Sequence, residues 1–214
     1  MAEERNVQTF LLTITVLPQP GGVHLRRAVH GIKNVLDKSK VHVVHQFKVS
    51  GESKVLAVVD VSDNRDLENL VEAVWDLGSI DVISSPLLHY SVFARNLGVA
   101  EELVTIPAPK LDKDHLYWLE VDVEYHGKTL EELLTIWKSE AEAVFTLRKA
   151  GAANIIPFKS LGQRKVNAFG NHPVAGAFDK LTFELPIVVG NGSNVHIKNK
   201  AIQFLDEYTK AHPL

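Results

Sequence analysis

One carboxylate set among apolar side chains is the most chemically suggestive feature of this 214-residue sequence. At helical spacing Leu133, Leu134, Trp137, Ala141 and Val144 form a single stripe, and Glu140 falls on its edge, between Leu133 and Leu147. Burial disfavours the charged form and lifts a carboxyl group toward neutral pH, which is how a general acid or base for carbon–proton transfer is tuned. The same position equally suits a glutamate that reaches solvent or pairs with a lysine. His172, in the turn Gly170-Asn171-His172-Pro173 after a strand, is a second group able to move protons near neutrality. His45 shares a strand face with Val43 and Phe47, and is either a hydrogen-bonded core histidine or a pocket group.

Other chemistry is excluded by spacing. The sequence has ten histidines, but His42 and His45 lie three apart on a strand, and His24 and His30 six apart on a helix, so neither pair converges on a metal. Glu120, Asp122 and Glu124 share a face with Trp118, yet neighbours two apart on a strand are separated by roughly 7 Å, so a salt-bridged or solvated face is favoured over an ion site. No phosphate-cradling glycine loop, zinc-protease helix or nucleophile elbow occurs. Cysteine is absent, which removes disulfides and thiolate chemistry.

The elements that must position these residues repeat. Gln8–Leu17 is a β-rich run closed by Pro18-Gln19-Pro20-Gly21-Gly22, and Val23–Asp37 follows with a helical apolar stripe. Val41–Val49 and Val55–Val61 flank a glycine turn as a hairpin. A helix with capping residues at 63–66 runs to Gly78, and Ile80–Phe93 reads as a strand with Pro86 at an edge or bulge. Residues 98–113, with Pro107-Ala108-Pro109, read as a linker. The order then starts again, as strand Leu116–Tyr125, helix Leu130–Lys149, a hairpin of Ile155–Lys159 with Lys165–Phe169 around Gly162, helix Val174–Leu185 and strand Asn194–Lys198. A terminal helix, Ala201–Ala211, has no counterpart in the first copy on this reading.

This is β-α-β-β-α-β twice, an α+β chain of two tandem ferredoxin-like units, 1–97 and 114–214. Both faces of the strands are apolar. Phe10, Leu12, Ile14 and Val16 oppose Leu11 and Leu17, so the expectation is two units packed sheet to sheet as an intramolecular dimeric α+β barrel, a pseudo-dimer within one chain with room for further homo-oligomerisation.

Residues 130–200 resemble muconolactone isomerase and its relatives. The carrying features are Glu140, then Leu147-Arg148-Lys149-Ala150-Gly151, a glycine-centred hairpin reaching Val166-Asn167, and a helix ending Glu184-Leu185-Pro186-Ile187. The resemblance implies a cavity between helix and sheet for small cyclic or lactone compounds; Glu140, which it shares, and His172, from its turn position, are the catalytic candidates. Trp137, Val144, Phe158, Asn167, Phe169 and His45 are the ligand-binding candidates. It implies proton transfer with no cofactor and no metal. Those relatives carry a polar Trp-Arg-His-Leu-Trp-like run after the glycine where this chain has Ala152-Ala153-Asn154-Ile155-Ile156. The first copy has no carboxylate corresponding to Glu140.

Bulk properties fit a cytoplasmic protein with a small-molecule partner. The composition is 45% hydrophobic and 23% charged, with a net charge of -3 spread evenly along the chain. Without a basic stripe nucleic-acid binding is not expected, and no apolar run approaches a membrane span. The competing reading is a non-catalytic scaffold whose cavities are filled by side chains.

Overall fold

The computed structural model describes residues 7–19, 22, 24–172 and 175–214. Pro20, Gly21, Val23, Pro173 and Val174, parts of the expected first turn and of two expected helix starts, lie outside the described residues. The fold is mixed α+β. Its elements are β1 (Gln8–Val16), α1 (Leu25–Lys38), β2 (His42–Val49), β3 (Lys54–Val61), α2 (Asn64–Trp75), β4 (Ile80–His89), α3 (Tyr90–Asn96) and α4 (Glu101–Val104). They continue with β5 (Leu116–Val123), α5 (Leu130–Lys149), β6 (Asn154–Ser160), β7 (Lys165–Asn171), α6 (Ala175–Glu184), α7 (Pro186–Asn191), a 3-10 turn (Gly192–Asn194), β8 (Val195–Phe204) and α8 (Leu205–Ala211).

The chain forms two compact units, one of residues up to Leu87 together with Ile202–Leu214, the other Leu88–Ala201. In the first unit β1 lies between β3 and β4, β3 pairs with β2, and β2 pairs with the end of β8 through Phe47 opposite Phe204 and Val49 opposite Ile202, all antiparallel. In the second, β5 lies between β7 and the residues Val195–Ala201 of β8, and β7 pairs with β6, again antiparallel.

The first unit's core is one close-packed cluster. Phe10, Leu12, Ile14 and Val16 of β1 meet Val55, Ala57 and Val59 of β3, beneath Val29, Ile32 and Leu36 of α1 and Leu67, Leu70 and Val74 of α2. Asp63 starts α2 by accepting from the Arg65 N–H at 2.9 Å. α5 opens with a reciprocal cap, in which Thr129 accepts from the Glu132 N–H at 3.2 Å and Glu132 accepts from the Thr129 N–H at 2.7 Å.

Several elements differ from the sequence expectation: β8 runs on to Phe204, so the terminal helix starts at Leu205 and not Ala201, and Pro186–Asn191 forms a helix of its own. Ile80–Phe93 is not one strand, because the chain turns into α3 at Tyr90, where Tyr90 and Ala94, four apart, are buried with Leu133, Trp137 and Phe145 of the second unit. The segment 98–113 carries α4, and its Val99 and Val104 are buried in the same cluster. The terminal helix does have a counterpart, and the two are exchanged. α3 follows β4 but packs in the second unit, whereas α8 follows β8 and packs in the first. There Leu205 is fully buried, Asp206 pairs with Lys33 at 2.7 Å, and the His30 ring meets the His212 carbonyl oxygen at 2.8 Å.

A buried lysine accompanies each exchanged helix. Phe47-Lys48 and Phe158-Lys159 stand just before the last residues of β2 and β6, and each strand is followed by a turn whose glycine, Gly51 or Gly162, has positive φ. Lys48, 3% exposed, donates to the carbonyls of Val49 at 2.6 Å and of Glu52; Lys159, 9% exposed, donates to those of Ser160 at 2.9 Å and of Gln163. The Lys48 ammonium lies 5.4 Å from the ring centre of Tyr208 on α8, and that of Lys159 lies 5.4 Å from both Phe93 on α3 and Trp137 on α5. The preceding aromatics follow suit, Phe47 against Phe204 at 5.4 Å and Phe158 against His89 at 5.4 Å. Each hairpin thereby closes its turn with the cation that also seats the exchanged helix. Replacing Leu205 by alanine is expected to destabilise the first unit by about 3 kcal/mol, since a fully buried leucine leaves a cavity; urea unfolding followed by circular dichroism measures the loss.

Candidate functional site

The second unit holds a cavity of about 90 Å³ between its sheet and its helices. Strand alternation builds the floor, because Leu119, Val121 and Val123 of β5, Pro157 of β6, and Val166 and Ala168 of β7 all point the same way. α5 supplies Trp137, Glu140, Val144 and Leu147, the α6–α7 segment supplies Thr182, Leu185 and Ile187, and α3 supplies Tyr90. His172 stands at the end of β7 on the same cavity, half-buried.

Glu140 is 7% exposed, and its Oε2 accepts one hydrogen bond, from the Ile187 backbone N–H at 3.0 Å. Burial among apolar side chains lifts its carboxyl group from the ordinary 4.5 to about 7, against the opposing pull of that hydrogen bond. Burial likewise lowers His172 below its usual value. The cavity thus presents a carboxyl group poised to gain or lose a proton near neutral pH beside an imidazole held toward its neutral form. Among the described residues that line it, none is lysine or arginine.

Of the sequence candidates, Glu140, His172, Trp137 and Val144 come together here. Phe158, Asn167 and Phe169 do not line the cavity. They alternate with Pro157, Val166 and Ala168 and so occupy the opposite face of the sheet, where Phe158 and Phe169 meet edge to face at 6.2 Å and Asn167 accepts from the Trp118 indole at 3.1 Å. His45 belongs to the first unit, stacked on Phe47 at 5.7 Å. It does not share a face with Val43, because a bulge between Val43 and His45 shifts the register; Val43 packs on the helix-side core and Phe47 is not part of that cluster. The acidic face of β5 is salt-bridged, Glu120 to Lys165 at 2.8 Å and Glu124 to Arg164 at 2.6 Å. Among the described residues no cluster of three or more histidine, aspartate or glutamate side chains is arranged to hold a metal.

Tyr90 is the site residue that the sequence reading passed over. It is 4% exposed, and burial together with the nearby Glu140 charge raises its phenol above the usual value, opposed by the neighbouring Trp137 side chain. Its signal was present in the helical spacing of Tyr90, Phe93, Ala94 and Leu97, hidden behind a strand-like composition.

The Glu140 shift carries a stability consequence. A carboxyl group whose folded pKa is raised is fully tolerated below about 4.5, and the cost of its charge grows as pH rises through about 7. Wild-type protein is therefore expected to lose about 3 kcal/mol between these limits through this group, and Glu140→Gln to flatten that part of the profile, as followed by thermal melts from pH 4 to 8.

No family model matches the chain, and no curated protein matches it. Solved structures do. A chlorite dismutase variant from Candidatus Nitrospira defluvii, in complex with cyanide, superposes with a TM-score of 0.59 at 13% identity, covering 97% of this chain and 95% of that one. The same organism's chlorite dismutase in complex with imidazole gives 0.57 at 14% identity, with the same coverage. Those proteins belong to the dimeric α+β barrel superfamily, and what this chain shares with them is the α+β fold.

Proposed function

We propose that the second unit binds a compact cyclic compound, of the lactone class, and moves a proton on it without a cofactor, with Glu140 as acid and base. The observation that carries this reading is a carboxyl group held at about 7 in the wall of an otherwise apolar cavity. As carboxylate, Glu140 takes a proton from a carbon next to a carbonyl. The electron pair of the broken C–H bond enters the ring as an enolate, and the same carboxyl group returns the proton at another carbon, so the step is an isomerisation in which atoms and charge balance. His172 is the second titratable group on the cavity and serves to exchange protons between Glu140 and solvent. The resemblance of residues 130–200 to muconolactone isomerase supports the lactone class, and the solved complexes of a like fold with cyanide and imidazole are of small molecules.

One observation favours the scaffold alternative. The bond from the Ile187 N–H to Glu140 also pins the start of α7 to α5, which is a structural use of a buried carboxylate. No helix among the described residues is long and apolar enough to cross a membrane, and the cytoplasm is the proposed setting.

Thermal-shift measurements with lactones, phenols and keto acids separate the two readings. A ligand at a hundred times its dissociation constant adds about 2.7 kcal/mol to the folded state, so lactones are expected to raise the melting temperature. Glu140→Gln is expected to reduce isomerisation by at least ~10²-fold while retaining the fold. Unchanged melting with every compound, or full turnover by Glu140→Gln, would sink the proton-transfer reading.

A further inference from the structure

The cavity that holds Glu140 also holds a phenol whose placement is tightly determined. Tyr90 is fixed by ring contacts with Phe93 at 5.6 Å and Phe145 at 6.2 Å, and the Trp137 side chain neighbours its oxygen. An indole N–H can only donate, so that neighbour makes no claim on the phenol proton. Trp137 is itself held, edge to face with Phe93 at 5.0 Å and with the Lys159 ammonium 5.4 Å from its ring centre. Packed among Phe93, Phe145 and Trp137, Tyr90 stands on a wall shared with Glu140.

We propose that the Tyr90 hydroxyl holds the carbonyl oxygen of an uncharged ketone or lactone while Glu140 takes the proton from the adjacent carbon, an inference that rests on the proton-transfer reading of the site. Three observations support it. Tyr90 and Glu140 line the same cavity and are close enough for the carboxylate charge to act on the phenol. The phenol keeps its proton at every working pH, because burial and that charge push it above its usual value, so it is a hydrogen-bond donor and never the base. No lysine or arginine lines the cavity among the described residues, so a substrate carrying its own carboxylate would lie uncompensated beside Glu140, and the developing oxyanion has to be met by a neutral donor. The C–H bond breaks as the O–H bond on Glu140 forms, and the electron pair ends on the carbonyl oxygen against Tyr90. Reversal of that flow, with proton return at the distal carbon, yields the conjugated isomer.

The test uses the full chain and a β,γ-unsaturated five-membered lactone, whose conversion to the conjugated form is followed by ultraviolet absorbance, beside the same lactone bearing a carboxylate. Wild-type protein is expected to isomerise the neutral lactone and not the carboxylate. Tyr90→Phe is expected to lower kcat by ~10²–10³-fold with KM changed less than about threefold, the cost of losing one donor to an oxyanion. Tyr90→Phe with wild-type kcat, while Glu140→Gln is inactive, would overturn the role of Tyr90 and leave the Glu140 reading standing. No acceleration by wild-type protein overturns both, and preference for the carboxylate form overturns the substrate class. If Tyr90→Phe does not fold, Trp137→Phe, which removes the indole that neighbours the phenol oxygen, takes its place, and unchanged kcat in that variant overturns the proposal.

Discussion

A buried ammonium group must spend its protons on acceptors or it cannot stay buried, and that requirement organises both halves of this molecule. Lys48 and Lys159 meet it in the same way, on the carbonyls of their own hairpin turns and on the face of an aromatic ring. Burial pulls both lysines below the usual pKa, the sign that desolvation is not fully offset. The rings come from α8 and α3, so the turn geometry of each hairpin and the seating of each exchanged helix are one problem with one solution. Through Trp137, the Lys159 arrangement reaches the cavity wall.

The two units put equivalent elements to different ends. In the first, α1, α2 and α8 press fully buried side chains onto β1 and β3, with Val29, Ile32 and Leu205 leaving no solvent exposure. In the second, small and β-branched residues such as Val121, Val166 and Ala168 face a helix layer that carries a carboxyl group instead of a hydrocarbon, and space remains. Close packing is the default for a protein interior, so an apolar void around a single carboxyl group is a departure from local consistency of the kind found at functional sites.

Much of this was legible in the residues. α5 was readable to the residue in its span, although Phe145 is buried where the expected stripe had Leu134, which is exposed. Glu140 was found because its position on that stripe is a property of one helix alone. What failed were the features that depend on a partner. Tyr90-Ser91-Val92-Phe93 has the composition of a strand, and it is the burial of Tyr90 and Ala94 against α5 that makes it helical. Phe158 and Phe169 were expected in the cavity, but strand parity alone does not reveal which face meets the helices. The bulge at Val43 and His45 leaves no local mark, as every residue around it suits a strand. The hairpin repeat Phe-Lys followed by glycine was in plain view, but its meaning lies in rings far along the chain.

The exchange of α3 and α8 also sets an order of assembly on the ribosome. Residues 88–201 bring together everything the second unit needs in one continuous stretch, whereas the first unit, although synthesised earlier, stays without Leu205 and Tyr208 until residues 202–214 have emerged. At a synthesis rate of roughly 5–20 residues per second, the sheet of β1 and β3 waits several seconds with part of its core uncovered. The half of the chain that is made first is therefore the half that finishes last, and it depends on the unit bearing the cavity to deliver its closing helix.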